Sequence, residues 1–150
     1  MRRSLGAEEG LPIDAKSLTL RANVASLSTA MEFVREGAME ANLPEARIGE
    51  LDLLIEEAVV NVFRYAYPDS TGSVTLTYSV PTPGKLSVEI ADQGIEFDPL
   101  AATPPDLALG LDQRPIGGLG IFLFRKLATS ATYRREDGWN RLRVDISAGS

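Results

Sequence analysis

Residues 51–69 read LDLLIEEAVVNVFRYAYPD, a stretch that sets Glu57 and Asn61 among apolar residues and stops at Pro68. At about 100° per residue, Leu51, Leu54, Ile55, Ala58, Val62 and Ala66 gather on one face, so the period predicts a helix. Glu57 and Asn61 are four residues apart and stack on one side of it. They fall at the margin of the apolar face, with Val60 and Leu53 beyond them. Solubility alone does not call for polar groups there; the arrangement suits a helix that meets something polar beside the core.

The totals limit what that can be. A chain of 150 residues suits one domain with a substantial core. Fifteen basic residues against twenty-one acidic ones give a net charge of −6, which argues against nucleic acid as a direct partner. The sequence contains neither Cys nor His, which excludes disulfides, a thiolate nucleophile, a Ser-His-Asp triad, His-ligated zinc and a phospho-accepting histidine. Chemistry must fall to Asp, Glu, Asn, Lys and Arg. The opening MRRSLGAEEGLP has no apolar core of a signal peptide, and no run approaches the roughly 18 apolar residues of a membrane span. The expected location is therefore cytoplasmic, without membrane contact.

Working outward, residues 1–16 are expected to form a flexible N-terminal arm and 17–150 one folded domain. Residues 17–22 alternate weakly as a short strand, and Asn23 is a candidate N-cap for a helix over 24–42. Pro44 suits the first turn of the helix quoted above. Beyond it, 72–80 and 85–91 alternate apolar and polar residues around a Pro/Gly turn, the pattern of an antiparallel hairpin. Residues 92–120 hold four Pro and five Gly and show no period. An apolar helix over 119–128 ends in basic residues, as its dipole prefers. Two more strands, 131–135 and 139–147, flank Asp137-Gly138, a strong hairpin signal. The order predicts an α+β fold, with helices on one face of a mostly antiparallel sheet.

Three features bear chemistry. The Glu57 carboxylate is a candidate general base, and the Asn61 amide oxygen is a hard donor of the kind Mg²⁺ accepts. Asp92 closes a strand, where it can accept a hydrogen bond from an exocyclic amine, and Gly94 would let a flat ring approach the backbone. Gly117-Gly118-Leu119-Gly120 opens a helix, where backbone N–H groups and the helix dipole suit phosphate. Arg114, just before it, could reach the same phosphate. The glycines match neither a P-loop nor a Rossmann fingerprint.

Taken in order, E-A-x-x-N, D-x-G after a strand and G-G-L-G before a helix resemble the N, G1 and G2 boxes of the GHKL ATPase superfamily. Within it, EEAVVNVFRYAYPD (residues 56–69) and GGLGIFLFRKLATSATYRREDG (117–138) are most similar to anti-sigma factor serine kinases of the RsbW/SpoIIAB type. The likeness runs from about residue 17 to 147. It implies a Bergerat-type two-layer α/β sandwich binding ATP and Mg²⁺. Glu57 would activate an attacking hydroxyl, Asn61 would hold Mg²⁺, and Asp92 and Gly94 would receive adenine. Gly117, Gly118, Leu119 and Gly120 would wrap the phosphates beneath a lid over 99–116, with Arg114 as a further phosphate contact. Three positions depart from the pattern: Tyr65 where many relatives carry His, Glu96 where a second glycine is frequent, and Asn140 near a Thr that helps bind adenine.

The resemblance implies a serine/threonine protein kinase that phosphorylates a STAS-type antagonist and could also sequester a sigma factor. Homodimers, common among relatives, are left open by the residues themselves. A competing reading is a nucleotide-gated binding module that transfers little phosphate; Glu57 favours the kinase, because a passive binder has less need of a base. A sensor histidine kinase acting in cis is excluded by the absent His.

Overall fold

The computed structural model describes residues 15–100 and 120–149, with side chains of the final helix described from Phe124 onward. Five strands form one antiparallel sheet: β1 (Lys16–Arg21), β2 (Ser73–Ser79), β3 (Lys85–Asp92), β4 (Ser130–Glu136) and β5 (Trp139–Ser147). Their spatial order is β1-β2-β3-β5-β4, so β5 inserts between β3 and the edge strand β4. Among the described residues three α-helices accompany them: α1 (Leu27–Glu40), α2 (Glu45–Asn61) and α3 (Gly120–Leu127). The expected α+β class and antiparallel sheet are both present.

Period-2 alternation decides which side of the sheet meets the helices. Val74, Leu76 and Tyr78 of β2, Leu86, Val88 and Ile90 of β3, and Leu142, Val144 and Ile146 of β5 are buried together. Against them lie Ala30, Val34 and Ala38 of α1, Leu51, Leu54, Ile55, Ala58 and Val59 of α2, and Phe124 of α3. The other side of the sheet is polar. Ser17 pairs with Thr77 and Thr19 with Thr75 through their hydroxyls, while Glu89 accepts from Arg141 at 2.7 Å. Burial of the apolar side supplies the driving force, at roughly 25 cal/mol per Å².

Local punctuation follows the sequence closely. Helix α1 ends on Asn42 at φ 60°, with Leu43 N–H donating to Ala38 O and Asn42 N–H to Met39 O, a Schellman close. Asp137 (φ 53°) and Gly138 (φ 84°) make the two-residue turn joining β4 to β5. Three details correct the expectations. Lys16, placed in the arm, is already in β1 and pairs with Glu40. Asn23 makes no side-chain cap and precedes a 3₁₀ turn (Val24–Ser26) before α1 begins. Pro44 is not within the first turn of α2 but takes the extended N-cap position in front of it. Residues 1–14 of the expected arm lie outside the described residues.

The helix quoted at the outset is not α-helical to its end. After Asn61 the chain widens into a π-turn over Val62–Ala66. Such turns often mark functional sites. This one directs the Ala66 carbonyl to the backbone N–H of Ile95, 2.9 Å away.

Candidate functional site

The apolar stripe of α2 ends in a polar group. Asn61, the last residue of the helix, is buried, and its Oδ1 has no hydrogen-bond partner among the described residues. One turn earlier, Glu57 is partly buried and its Oε2 is also without a partner among the described residues. An enclosed acceptor without a donor costs about 1–3 kcal/mol. Two of them, stacked four residues apart, fit a helix held ready for something that binds. Burial pushes the Glu57 carboxyl above its ordinary value, while the Asn61 amide and the Arg64 charge pull it back. That shift moves it toward the range where a carboxylate acts as a base near neutral pH.

The sheet contributes the facing wall. Each of β3 and β5 carries one polar residue on its otherwise apolar, helix-facing side: Asp92 after Leu86, Val88 and Ile90, and Asn140 before Leu142, Val144 and Ile146. The register places them directly opposite one another. Both are buried, and Asn140 Nδ2 donates to Asp92 Oδ1 at 2.8 Å. The same oxygen accepts the N–H of Gly94 at 2.9 Å. Burial raises the Asp92 carboxyl, against which Asn140, Gly94 N–H and the Arg135 charge act.

Gly94 is fixed from several directions. Its carbonyl accepts from Arg135 Nη1 at 2.8 Å, and a Cβ on it would fall 2.2 Å from the Ala66 oxygen. The π-turn therefore lies hard against the D-x-G segment, and only glycine fits there. Beyond it, Tyr65 stacks on Phe97 with ring centroids 5.5 Å apart.

These elements enclose a pocket of about 410 Å³, counting the part open to solvent. Ala58, Asn61, Val62, Tyr65 and Ala66 line it from the helix, with Ile90, Asp92, Phe97, Tyr133, Asn140 and Leu142 opposite. Apolar walls with a few convergent polar groups are the usual form of a small-molecule site. The structure thus brings Asn61 and Asp92 to one cavity, with Gly94 behind Asp92 and Glu57 one turn up from Asn61, beside the lining rather than in it. Gly120 is the first residue of α3. Arg114, Gly117, Gly118 and Leu119 lie outside the described residues. Sequence reading missed Tyr133 and the central place of Asn140. The signal for Asn140 was available: a polar residue at an inward position of an alternating strand, next to the Asp137-Gly138 turn.

The profile of the histidine kinase-like ATPase domain matches residues 20–146. The chain belongs to this family. Among curated members it is 38% identical over 93 residues to the serine/threonine-protein kinase BtrW of Bordetella bronchiseptica, covering 61% of this chain and 65% of that one. It is 25% identical over 95 residues to the serine-protein kinase RsbW of Bacillus cereus, covering 61% and 59%. The alignments therefore span less than two thirds of either relative. Among solved structures, the RsbU and RsbW domains of Rv1364c from Mycobacterium tuberculosis superpose with a TM-score of 0.63 at 16% identity, over 91% of this chain and 33% of that one. That likeness concerns the fold, and it agrees with the helix-backed antiparallel sheet of this family member. Among the described residues no helix is long and apolar enough to cross a membrane.

Proposed function

We propose that this chain is a Mg²⁺- and ATP-dependent serine/threonine protein kinase of the partner-switching type, acting on a hydroxyl of a small STAS-type antagonist and able to sequester a sigma factor. The observation that carries the reading is the pair of enclosed oxygens, Glu57 Oε2 and Asn61 Oδ1, that have no partner among the described residues, on the helix that walls the Asp92 pocket. In this assignment adenine enters the pocket and its exocyclic amine donates to Asp92. Asn61 Oδ1 fits the hard oxygen donor that Mg²⁺ requires, and the bound ion would neutralise phosphate charge. The phosphates are assigned to Gly117, Gly118, Leu119, Gly120 and Arg114 on the family resemblance alone.

Glu57 then has a distinct task. The acceptor hydroxyl gives its proton to Oε2 as its oxygen bonds to the γ-phosphorus, while the bond from that phosphorus to the β–γ bridging oxygen breaks and ADP leaves. A positioned base of this kind is worth about 10²–10⁴ in rate, and phosphoryl transfer otherwise needs chiefly alignment and charge neutralisation.

The test is a pull-down with and without γ-labelled ATP, followed by phosphosite mapping on the captured protein. Label on a Ser or Thr of a small antagonist is expected, and Glu57→Gln should bind ATP yet lose transfer by at least about 100-fold. Asp92→Asn should instead weaken ATP binding itself. Nucleotide-dependent capture without label on any hydroxyl would replace the kinase with a passive, nucleotide-gated module.

A further inference from the structure

Asn140 stands where the family pattern leads one to expect a ligand contact, yet its hydrogen bonds leave no room for that role. Nδ2 donates to Asp92 Oδ1 and to the Ile95 carbonyl, each at 2.8 Å. Oδ1 accepts from the Tyr133 hydroxyl at 2.6 Å and from the Phe97 N–H at 3.2 Å. An amide has two N–H donors and two acceptor lone pairs, so all four positions are taken by protein. The orientation of the group is fixed as well. Turning it over would set oxygen against two acceptors and nitrogen against the Phe97 N–H.

The consequence falls on Asp92. Its Oδ1 receives both Asn140 Nδ2 and the Gly94 N–H, which leaves Oδ2 as the oxygen available to whatever enters the pocket. We propose that Asn140 is a positioning residue that sets base selectivity: by holding Oδ1 of Asp92 it presents Oδ2 as an acceptor aimed at the exocyclic amine of an aminopurine. Because the same side chain binds Ile95 and Phe97, it also ties the orientation of that carboxylate to the backbone after the D-x-G segment. The inference rests on the nucleotide reading above and assigns the selectivity of that site to a residue whose own hydrogen bonds all go to protein.

The experiment compares ATP with purine riboside triphosphate, which differs only in lacking the exocyclic amine, by calorimetric titration against wild type, Asn140→Leu and Asn140→Asp. Wild type should prefer ATP by about tenfold or more, the worth of one charge-assisted hydrogen bond. In both variants the preference should fall below about threefold, mostly through loss of ATP affinity. A residue that merely supported the fold would weaken both ligands equally, so an unchanged ratio in a folded variant overturns the proposal. Tyr133→Phe removes one anchor of Asn140 while leaving Asp92 and Asn140 in place, and it covers the case in which the Asn140 variants do not fold. It should narrow the ratio by about two- to fivefold, and a ratio equal to wild type counts against the proposal. Wild type that binds neither ligand would sink the nucleotide reading itself, a result distinct from binding with an unaltered preference.

Discussion

Replacing Gly94 with alanine puts a methyl group where the fold has none to spare. The new Cβ would fall 2.2 Å from the Ala66 oxygen and 2.5 Å from both the carbonyl carbon and Cβ of that residue. Most of this obstacle is backbone, which cannot swing aside as a long side chain would. To regain van der Waals separation, the two segments must part by on the order of 1 Å. That movement sacrifices the Ile95 N–H bond to Ala66 O and strains the bonds from Gly94 N–H to Asp92 and from Arg135 to Gly94 O. Overpacking costs about 1–3 kcal/mol, and the lost hydrogen bond adds about 1 kcal/mol. The sum, about 2–4 kcal/mol, lowers Tm by about 5–15 °C in a domain of this size. Gly49→Ala is the matched control, because it lies on the exposed side of α2 with nothing within 4 Å of the new methyl group. There alanine should add about 0.5–1 kcal/mol by restricting the unfolded chain. Thermal melts followed by circular dichroism would therefore move in opposite directions. If Gly94→Ala melts within about 1 °C of wild type, the packing argument for the D-x-G segment is wrong.

Other perturbations probe the same site. Burial raises the Glu57 carboxyl above its ordinary 4.5, so its contribution to stability is complete below that pH and is lost as pH rises through the raised value. Glu57→Gln should thus melt like wild type in acid and above it near neutrality; a gap that stays flat or reverses across this range would contradict the assignment. Asn61→Ala should make ATP affinity nearly independent of Mg²⁺, and an unchanged Mg²⁺ titration would remove the metal role. Tyr67→Phe deletes a hydroxyl that donates to Ser73 O at 2.6 Å and accepts from Gln93 N–H at 2.9 Å. Urea unfolding should show a loss of about 1–2 kcal/mol, and no loss would mean that water replaces both bonds.

The sequence was most legible where a residue's role depends on its own period. Alternation placed Val74, Leu76, Tyr78 and the β5 residues, and Asp137-Gly138 located its turn by chemistry alone. Glu57 and Asn61 stood out because they interrupt an apolar face. What could not be read depends on contacts between distant segments. The position of β5 between β3 and β4 is a matter of pairing across the sheet, and no local pattern encodes it. Asn140 looked like a departure from the family pattern because its meaning lies in Asp92, Ile95, Phe97 and Tyr133, which the chain brings together only on folding. The π-turn was invisible for a related reason: residues 62–66 hold no Gly or Pro to mark a change of helix type, and the tertiary bond from Ile95 to Ala66 forms only on folding.

That turn has a consequence for how the chain tolerates change in length. A π-turn closes each hydrogen-bonded ring around one more residue than an α-turn does. Deleting one residue between Asn61 and Tyr67 would let α2 run on as ordinary helix, with better local bonding. It would also rotate everything downstream by about 100° about the helix axis, carrying the Ala66 carbonyl away from Ile95 and Tyr65 away from Phe97. The spare residue works as a spacer: it sets the phase between the helix that bears Glu57 and Asn61 and the strand end that bears Asp92.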